Sequence, residues 1–203
     1  MLTANEALKK LQEGNERFMS GLRSIDALMK QTQRADFVEG QAPFAVILGC
    51  SDSRVPAEIV FDQGLGDLFV IRVAGNIVAP SQIGSVEFAV GQFGTPLVVV
   101  LGHSMCGAVR ATIDELEHPS HEKSSNVLSI VDRIRPSVEP LFDTELRNNP
   151  EQLLKSSIRD NILASMHHLR HGSEMLEQLM LKGKLSIVAA EYSLESGKVE
   201  FFA

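Results

Sequence analysis

Short apolar runs recur along the chain and predict β-strands. Runs of this kind are found at residues 44–49, 68–73, 97–102, 185–190 and 198–202. The first four show no alternation of polar and apolar positions, which is typical of strands buried on both faces of a sheet. The last run follows the turn residues Glu195-Ser196-Gly197 and is predicted to be an edge strand.

Helical patterns separate these predicted strands, at residues 55–63, 82–93, 107–117 and 157–181. Strands that alternate with helices predict an α/β fold with a mainly parallel central sheet of four to five strands flanked by helices. Residues 4–19 are apolar along one side, and residues 1–40 are predicted to form an N-terminal helical arm. The very polar stretch 118–126 predicts an exposed loop. Because no repeat or boundary interrupts the chain, we expect residues 1–203 to form a single domain.

The composition is that of an ordinary globular protein, and its charge excludes some partners. The 203 residues are 44% hydrophobic and 22% charged, with a net charge of −7 and no run of Lys and Arg, so we expect no nucleic acid partner. No segment approaches the roughly 18 apolar residues that span a bilayer, so we expect no membrane partner. The N-terminus is charged and lacks the apolar core of a signal peptide, which predicts a cytoplasmic location.

Two of the predicted strands end in residues that bind metals. Cys50 directly follows the first strand, and His103 and Cys106 follow the third. Adjacent parallel strands lie about 4.8 Å apart and end at the same edge of a sheet, so these side chains can converge on one ion. Two thiolates and one imidazole suit zinc, and a site with three protein ligands keeps one position for water. We therefore predict one catalytic zinc ion per chain.

Other interpretations of Cys50 and Cys106 stay open. A disulfide or a redox sensor is allowed by their number alone, although thiols of large cytosolic proteins favour metal binding or catalysis. Each cysteine is otherwise a small buried hydrophobic residue, and His103 then caps the end of a strand. The joint placement of three such residues at two glycine-marked strand ends favours the metal site.

Asp52 and Arg54 place an ion pair next to the predicted ligand Cys50. A carboxylate at this position would bind zinc itself or orient the water on it, and an arginine can hold it in a bidentate pair. The alternative is a helix N-cap, since Pro56 suits the first turn of a following helix. Zinc with two thiolates is formally neutral and acidifies water less than a three-histidine site does, so we expect activity that rises towards alkaline pH.

Two segments around the predicted zinc ligands carry a family resemblance. Cys50-Ser51-Asp52-Ser53-Arg54-Val55-Pro56 and His103-Ser104-Met105-Cys106-Gly107 resemble, in the same order, the two signatures of the β-class carbonic anhydrases. Further similar segments are 66–76, 183–185, 191–192 and 197–199, so that the resemblance covers roughly residues 5–202. It implies zinc-dependent, reversible hydration of carbon dioxide to bicarbonate and a proton, by attack of a zinc-bound hydroxide.

The resemblance also implies roles for individual residues. Cys50, His103 and Cys106 would be the zinc ligands. Asp52 would accept a hydrogen bond from the hydroxide and Arg54 would hold Asp52. In a closed state, Asp52 can swing onto the metal as a fourth ligand.

The substrate pocket implied by the resemblance is small and apolar, and is often built across a dimer interface. Gln41, Phe69, Phe88 and Gly107 would be its substrate-binding residues. The assembly would be a homodimer or a dimer of dimers, with the helical arm 1–40 packed on a partner subunit.

Two other functions are alternatives. A carbon disulfide or carbonyl sulfide hydrolase on the same scaffold would need the same zinc hydroxide but a different access route. A non-catalytic zinc protein would use the metal to join two loops. The Asp52–Arg54 pair argues against the second alternative, since a structural site has no use for an orienting carboxylate.

Overall fold

A computed structural model describes residues 2–32, 38, 40–119 and 124–202 of the chain. Its centre is a five-stranded sheet in the order β2-β1-β3-β4-β5. The strands are β1 Ala45–Gly49, β2 Leu68–Arg72, β3 Leu97–His103, β4 Ser186–Tyr192 and β5 Val199–Phe202. The first four are parallel, whereas β5 pairs antiparallel with β4 at one edge. The predicted mainly parallel α/β fold is confirmed, and so is the edge position of the last strand.

Eight α-helices flank the sheet in the described part of the chain. They are α1 Ala4–Met19, α2 Ile25–Thr32, α3 Ala57–Val60, α4 Pro80–Phe93, α5 Gly107–Glu117, α6 Ser125–Val138, α7 Pro150–His171 and α8 Glu174–Leu181. Short 3-10 helices occur at Ala74–Asn76, Glu139–Asp143 and Glu145–Asn148. Among the residues described, none of the helices has the length and apolarity needed to cross a bilayer.

Two of the predicted helices are wrong in extent. The helix predicted at 55–63 is only the four-residue α3. The helix predicted at 157–181 is two helices: α7 ends at His171 with Gly172 as its cap, and α8 starts at Glu174. Ser173 caps α8 by accepting a hydrogen bond from the backbone N–H of Leu176 (3.2 Å). The apolar spacing alone predicts one continuous helix, but the capping residue Ser173 starts a separate second one.

The segment between α5 and α7 holds a further difference. The helix α6 has no counterpart in the prediction, and it begins inside the polar stretch 118–126 that was expected to be a loop. Ser124 caps it by accepting from the N–H of Val127 (3.3 Å). Residues 120–123 of that stretch lie outside the described residues. The helix α7 also begins earlier than predicted, because Asn149 caps its first turn.

The sheet is buried on both faces, as the unbroken apolar runs of its strands predict. Every residue of β1 and β3 is buried. One core lies between the sheet and helices α4 to α8 and contains Leu48, Val100 and Ile162. The other core joins α1 and α3 to the sheet through Leu11 and Val60. The ends of β1 and β3 are therefore held by packing on both sides.

The N-terminal helix α1 belongs to the second of these cores. Its buried Asn15 donates to the carbonyls of Val60 (3.1 Å) and Gly197 (2.9 Å) and accepts from the N–H of Val199 (2.8 Å). A Cβ atom at Gly14 would lie 1.8 Å from a backbone oxygen just after α3, so this close approach requires glycine. Helix α1 therefore ties α3 to the turn between β4 and β5.

A buried carboxylate fixes the chain after α1. The side chain of Asp62 is fully buried and accepts hydrogen bonds from Nε of Arg17 (2.6 Å), Nε of Arg23 (2.9 Å) and the N–H of Ser24 (2.9 Å). Three donors on two oxygens satisfy the charge inside the protein. This cluster, which we call the Asp62 node, anchors the segment that leads into α2.

The arm predicted at residues 1–40 is described only in part, since residues 1, 33–37 and 39 lie outside the described residues. Leu22, just before α2, and Ile25, its first residue, are 64% and 74% exposed, so the chain presents apolar side chains at the surface here. The packing of this arm on a partner subunit, and the single-domain organisation, stay predictions.

Candidate metal centre

The predicted zinc ligands lie together at the carboxyl ends of two neighbouring strands. Cys50 follows β1, His103 is the last residue of β3, and Cys106 precedes α5. Their ligand atoms all lie within 4.8 Å of one another. The three residues are 6%, 0% and 1% exposed. Among the described residues, they form the one group of His, Cys, Asp or Glu side chains placed closely enough to share an ion.

The backbone around Cys50 is shaped for its sulfur. The N–H of Gly75 donates to Cys50 Sγ (3.3 Å), and Nδ2 of Asn161 holds the carbonyl of Gly75 (2.8 Å). Gly75 has a φ of 71°, and an added Cβ would lie 2.6 Å from Cδ1 of Ile134. Only glycine fits this position, and its N–H stabilises negative charge on the sulfur.

The His103 imidazole is held in one tautomer. Its Nδ1 lies 2.9 Å from the carbonyl oxygen of Ser104, which can only accept, so Nδ1 carries the proton. In the neutral ring this leaves the lone pair on Nε2, and Nε2 is buried without a hydrogen-bond partner. An unpaired buried nitrogen is costly, and a metal ion would supply the missing partner. The donor set and this nitrogen therefore fit a zinc ion.

The two cysteines form a coupled pair. A hydrogen bond from the Cys106 thiol is the largest cause that lowers the pKa of Cys50, to about 4, and it outweighs the effect of burial. The same bond, together with burial, raises the pKa of Cys106. These opposite shifts favour a thiolate on Cys50 and a thiol on Cys106, and binding a metal through both sulfurs would release the thiol proton.

Asp52 lies beside the ligand cluster and is turned towards Arg54. Nε and Nη2 of Arg54 donate to the two carboxylate oxygens at 2.9 and 2.7 Å, and the N–H of Arg54 donates as well (3.0 Å). The Arg54 hydrogen bond is the main cause that holds the pKa of Asp52 well below its usual range. Asp52 Oδ2 is 3.8 Å from Nε2 of His103. The carboxylate is thus ionised, next to the cluster and held by an arginine.

The alternative role of Asp52 as a helix cap is not seen. Pro56 is the N-cap residue of α3, and no side chain caps that helix. The backbone carbonyl of Asp52 instead accepts from the N–H of Val55 (3.0 Å) and from Arg72 of β2. Arg72 also donates to the carbonyl of Cys50 (3.0 Å). The loop that carries Cys50 and Asp52 is therefore clamped by the neighbouring strand.

The residues predicted to bind substrate are not all near the ligand cluster. Gly107, directly after Cys106, is the exposed first residue of α5, with open space around its Cα. Phe69 on the edge strand β2 and Phe88 on α4 have ring centroids 6.3 Å apart, and Phe88 is 56% exposed. Gln41 is exposed and precedes β1, whereas the cluster follows the other end of that strand. Within one chain, Gln41 lies away from the predicted ligands.

Some supporting residues could not be identified from sequence. Asn161 reaches Gly75 from a helix 86 residues further along the chain, and no spacing rule predicts that contact. The turn between β4 and β5 contacts the loop that links His103 to Cys106. The N–H of Leu194 in this turn donates to Oγ of Ser104 (2.9 Å). The sequence gives one indication that Gly75 matters: it lies in the segment 66–76, which resembles the β-class carbonic anhydrases.

Comparison with known proteins agrees with this geometry. A family model described as carbonic anhydrase matches residues 45–199. Carbonic anhydrase 2 of Mycobacterium tuberculosis is 38% identical over 192 residues, which cover 95% of this chain and 89% of that protein. The structure of the beta-carbonic anhydrase CcaA has a TM-score of 0.78 at 25% identity, with 97% of this chain and 95% of that one covered.

A further structure comes from a study of two tetrameric beta-carbonic anhydrases of the ascomycete Sordaria macrospora. It has a TM-score of 0.75 at 20% identity, and the match covers 88% of this chain and 89% of that one. The family model matches well over half of the present sequence, and the mycobacterial relative aligns with nearly all of it. The chain therefore belongs to the β-class carbonic anhydrase family.

Proposed function

We propose that the protein catalyses the reversible hydration of carbon dioxide to bicarbonate and a proton, with one zinc ion per chain. The observation that carries this proposal is a buried two-sulfur, one-imidazole cluster beside an ionised carboxylate. A structural zinc site is normally closed by a fourth Cys or His, whereas three protein ligands keep a position for water. The match to the carbonic anhydrase family supports the choice of substrate.

Each residue of the cluster would have a distinct task. Cys50, His103 and Cys106 would hold the ion, which when bound supplies the Lewis-acid chemistry that acidifies a water molecule. Asp52 would accept a hydrogen bond from the attacking oxygen and so aim it at the carbon of the substrate. Arg54 would keep the Asp52 carboxylate turned away from the metal. Movement of Asp52 onto the ion, if Arg54 let go, would produce a closed state.

The proposed substrate pocket requires a second copy of the chain. Gln41 precedes the strand that carries Cys50, so a glutamine near the metal would come from a partner subunit. Phe69, Phe88 and Gly107 would complete the pocket. A homodimer or dimer of dimers, joined in part by the arm 1–40, is the assembly that we propose. The tetrameric solved relatives and the apolar exposed start of α2 support it.

A reducing location suits a centre built on two free thiols, so we propose that the protein acts in the cytoplasm. No observation favours hydrolysis of carbon disulfide or carbonyl sulfide over hydration of carbon dioxide. The bidentate Asp52–Arg54 pair argues against a zinc ion with a purely structural role.

Stopped-flow hydration of carbon dioxide at pH 8.5, with zinc content measured on the same sample, tests the proposed function. We expect hydration well above the buffer rate, its loss when zinc is removed with a chelator, and its return on reloading. A fully zinc-loaded sample that hydrates no faster than buffer would refute the proposal. Parallel assays with carbon disulfide and carbonyl sulfide would identify the hydrolase alternative.

A further inference from the structure

Ser104 stands between the predicted ligand His103 and the turn that joins β4 to β5. Its carbonyl accepts the hydrogen bond from Nδ1 of His103 (2.9 Å). Its N–H donates to the carbonyl of Tyr192 (2.9 Å), and its Oγ accepts from the N–H of Leu194 (2.9 Å). Ser104 thus makes three hydrogen bonds: one with the imidazole, one with the end of β4 and one with the turn that follows.

The direction of the Ser104 carbonyl decides how the imidazole is presented. The bond to Nδ1 leaves the lone pair on Nε2, the ring nitrogen that lies in the ligand cluster. The residue after Ser104, Met105, has a left-handed φ of 58°, so the chain turns sharply directly after the Ser104 carbonyl. The hydrogen bonds made by the N–H and the Oγ of Ser104 would restrain this carbonyl from the Cα side.

The turn that holds Ser104 is itself rigid. The N–H of Ser193 donates to the carbonyl of Lys198 (2.9 Å), and Gly197 returns a bond to Ser193 (2.9 Å). Asn15 of α1 then fixes the far side of the turn through the carbonyl of Gly197 and the N–H of Val199. A continuous set of hydrogen bonds therefore runs from the buried face of α1 to the imidazole.

We propose that Ser104 is a positioning residue, whose hydroxyl anchors its own carbonyl to the β4–β5 turn and so sets the tautomer and orientation of His103. Hydrogen-bond partners of metal-binding histidines commonly tune metal affinity in this way. This inference rests on the metal site of the proposed function. The tautomer of His103 can nevertheless be measured in the metal-free chain, so each idea can fail alone.

The test compares Ser104→Val with Ser104→Thr, two side chains of nearly the same shape of which only threonine keeps the hydroxyl. Zinc affinity would be measured by competition with a chromophoric chelator. The tautomer of His103 would be measured by ¹⁵N NMR of the metal-free protein. For Ser104→Val we expect zinc affinity to fall by about 10- to 100-fold and the Nδ1–H signature to weaken. Ser104→Thr should retain both.

Two further variants make the outcome decisive. Ser196→Ala alters an exposed serine of the same turn, whose hydroxyl accepts from the N–H of Lys198 (3.3 Å), and it should leave zinc affinity and tautomer unchanged. Ser104→Ala removes the hydroxyl without adding a branched side chain. It should show the same loss of zinc affinity and of the Nδ1–H signature, and it serves as the test if the branched valine prevents folding. Valine and alanine variants with wild-type zinc affinity and an unchanged ¹⁵N signature would overturn the proposal.

Discussion

Two buried clusters of charge in this protein differ in how well they are satisfied. In the Asp62 node, two arginines and a backbone N–H saturate a fully buried carboxylate. In the metal centre, His103 Nε2 is buried with no hydrogen-bond partner, and the Cys50 and Cys106 sulfurs lie within 4.8 Å of it and of each other. A satisfied cluster stabilises the fold, whereas an unsatisfied one is complete only with a ligand. Substitutions in the Asp62 node should therefore lower stability, whereas substitutions in the metal centre should lower zinc binding.

Removal of a ligand should have the largest effect. His103→Ala should lose stoichiometric zinc, and hydration of carbon dioxide should fall to that of the metal-free protein, because two sulfurs alone hold the ion poorly. Zinc content and stopped-flow rates on the same sample check this. His167→Ala is the matched control, since His167 is exposed and stacks on His171. A His103→Ala protein that kept one tightly bound zinc would contradict the assignment.

Asp62→Ala should act on stability and leave the metal centre intact. Removing one partner of a buried ion pair costs about 3–5 kcal/mol, and we expect the lower end of that range. The reason is that the side chains of Arg17 and Arg23 are 34% and 33% exposed and can turn into water. Denaturant unfolding measures the loss, and zinc per folded molecule should stay at the wild-type value. Loss of zinc from the folded variant would show that the two clusters are not separate.

The Asp62 node also predicts how stability depends on pH. Burial raises the pKa of Asp62, but hydrogen bonds from Arg17, Ser24 and Arg23 lower it overall. A lowered folded-state pKa contributes stability above the unfolded value of about 3.9, and this is lost as pH falls through the folded value. Between neutral pH and acid, the unfolding free energy of Asp62→Ala should therefore decline less steeply than that of wild type. Parallel slopes would contradict the role of the node.

Asp52→Asn should reduce catalysis while zinc stays bound. The amide keeps the size of the carboxylate but weakens acceptance from the attacking oxygen and the pair with Arg54. We expect a fall of about 100-fold in kcat, the typical cost of a misplaced reactant. Metal analysis and steady-state hydration rates measure it. Wild-type kcat in a zinc-loaded Asp52→Asn protein would remove Asp52 from the mechanism.

The smallest expected effect is a gradual change of kcat/KM with pH. Because two thiolates neutralise the charge of zinc, the ion should acidify water less than in a three-histidine site, and kcat/KM should rise through the alkaline range. Asp52 does not contribute to this rise, since its pKa lies well below neutral. Hydration rates from pH 6 to 9 test it. A profile that is flat above pH 6 would count against the proposed charge balance.

The sequence predicts the metal-binding residues better than the residues that hold them in place through hydrogen bonds. Cys50, His103 and Cys106 directly follow or end apolar strands, and the rule that parallel strands end at one edge brings them together. Asn161 and Ser104 act through contacts between distant segments, and no local pattern encodes these. Gln41 shows a further limit, because its predicted role near the metal stays a prediction that we propose to be met by a second copy of the chain.

The secondary structure likewise divides into features that the sequence predicts well and features that it does not. The apolar strands define the sheet because burial on both faces leaves a strong signal. The break between α7 and α8 depends on Ser173, a single capping residue that competes with continued helical spacing. The helix α6 starts within a polar stretch, where hydrophobic periodicity gives no guidance.

X-ray absorption at the zinc edge of the purified protein tests the central claim most directly. We predict one zinc per chain with two sulfur neighbours at about 2.3 Å and nitrogen or oxygen neighbours at about 2.0 Å. Protein that folds without stoichiometric zinc, or a metal shell that contains no sulfur, would contradict the account.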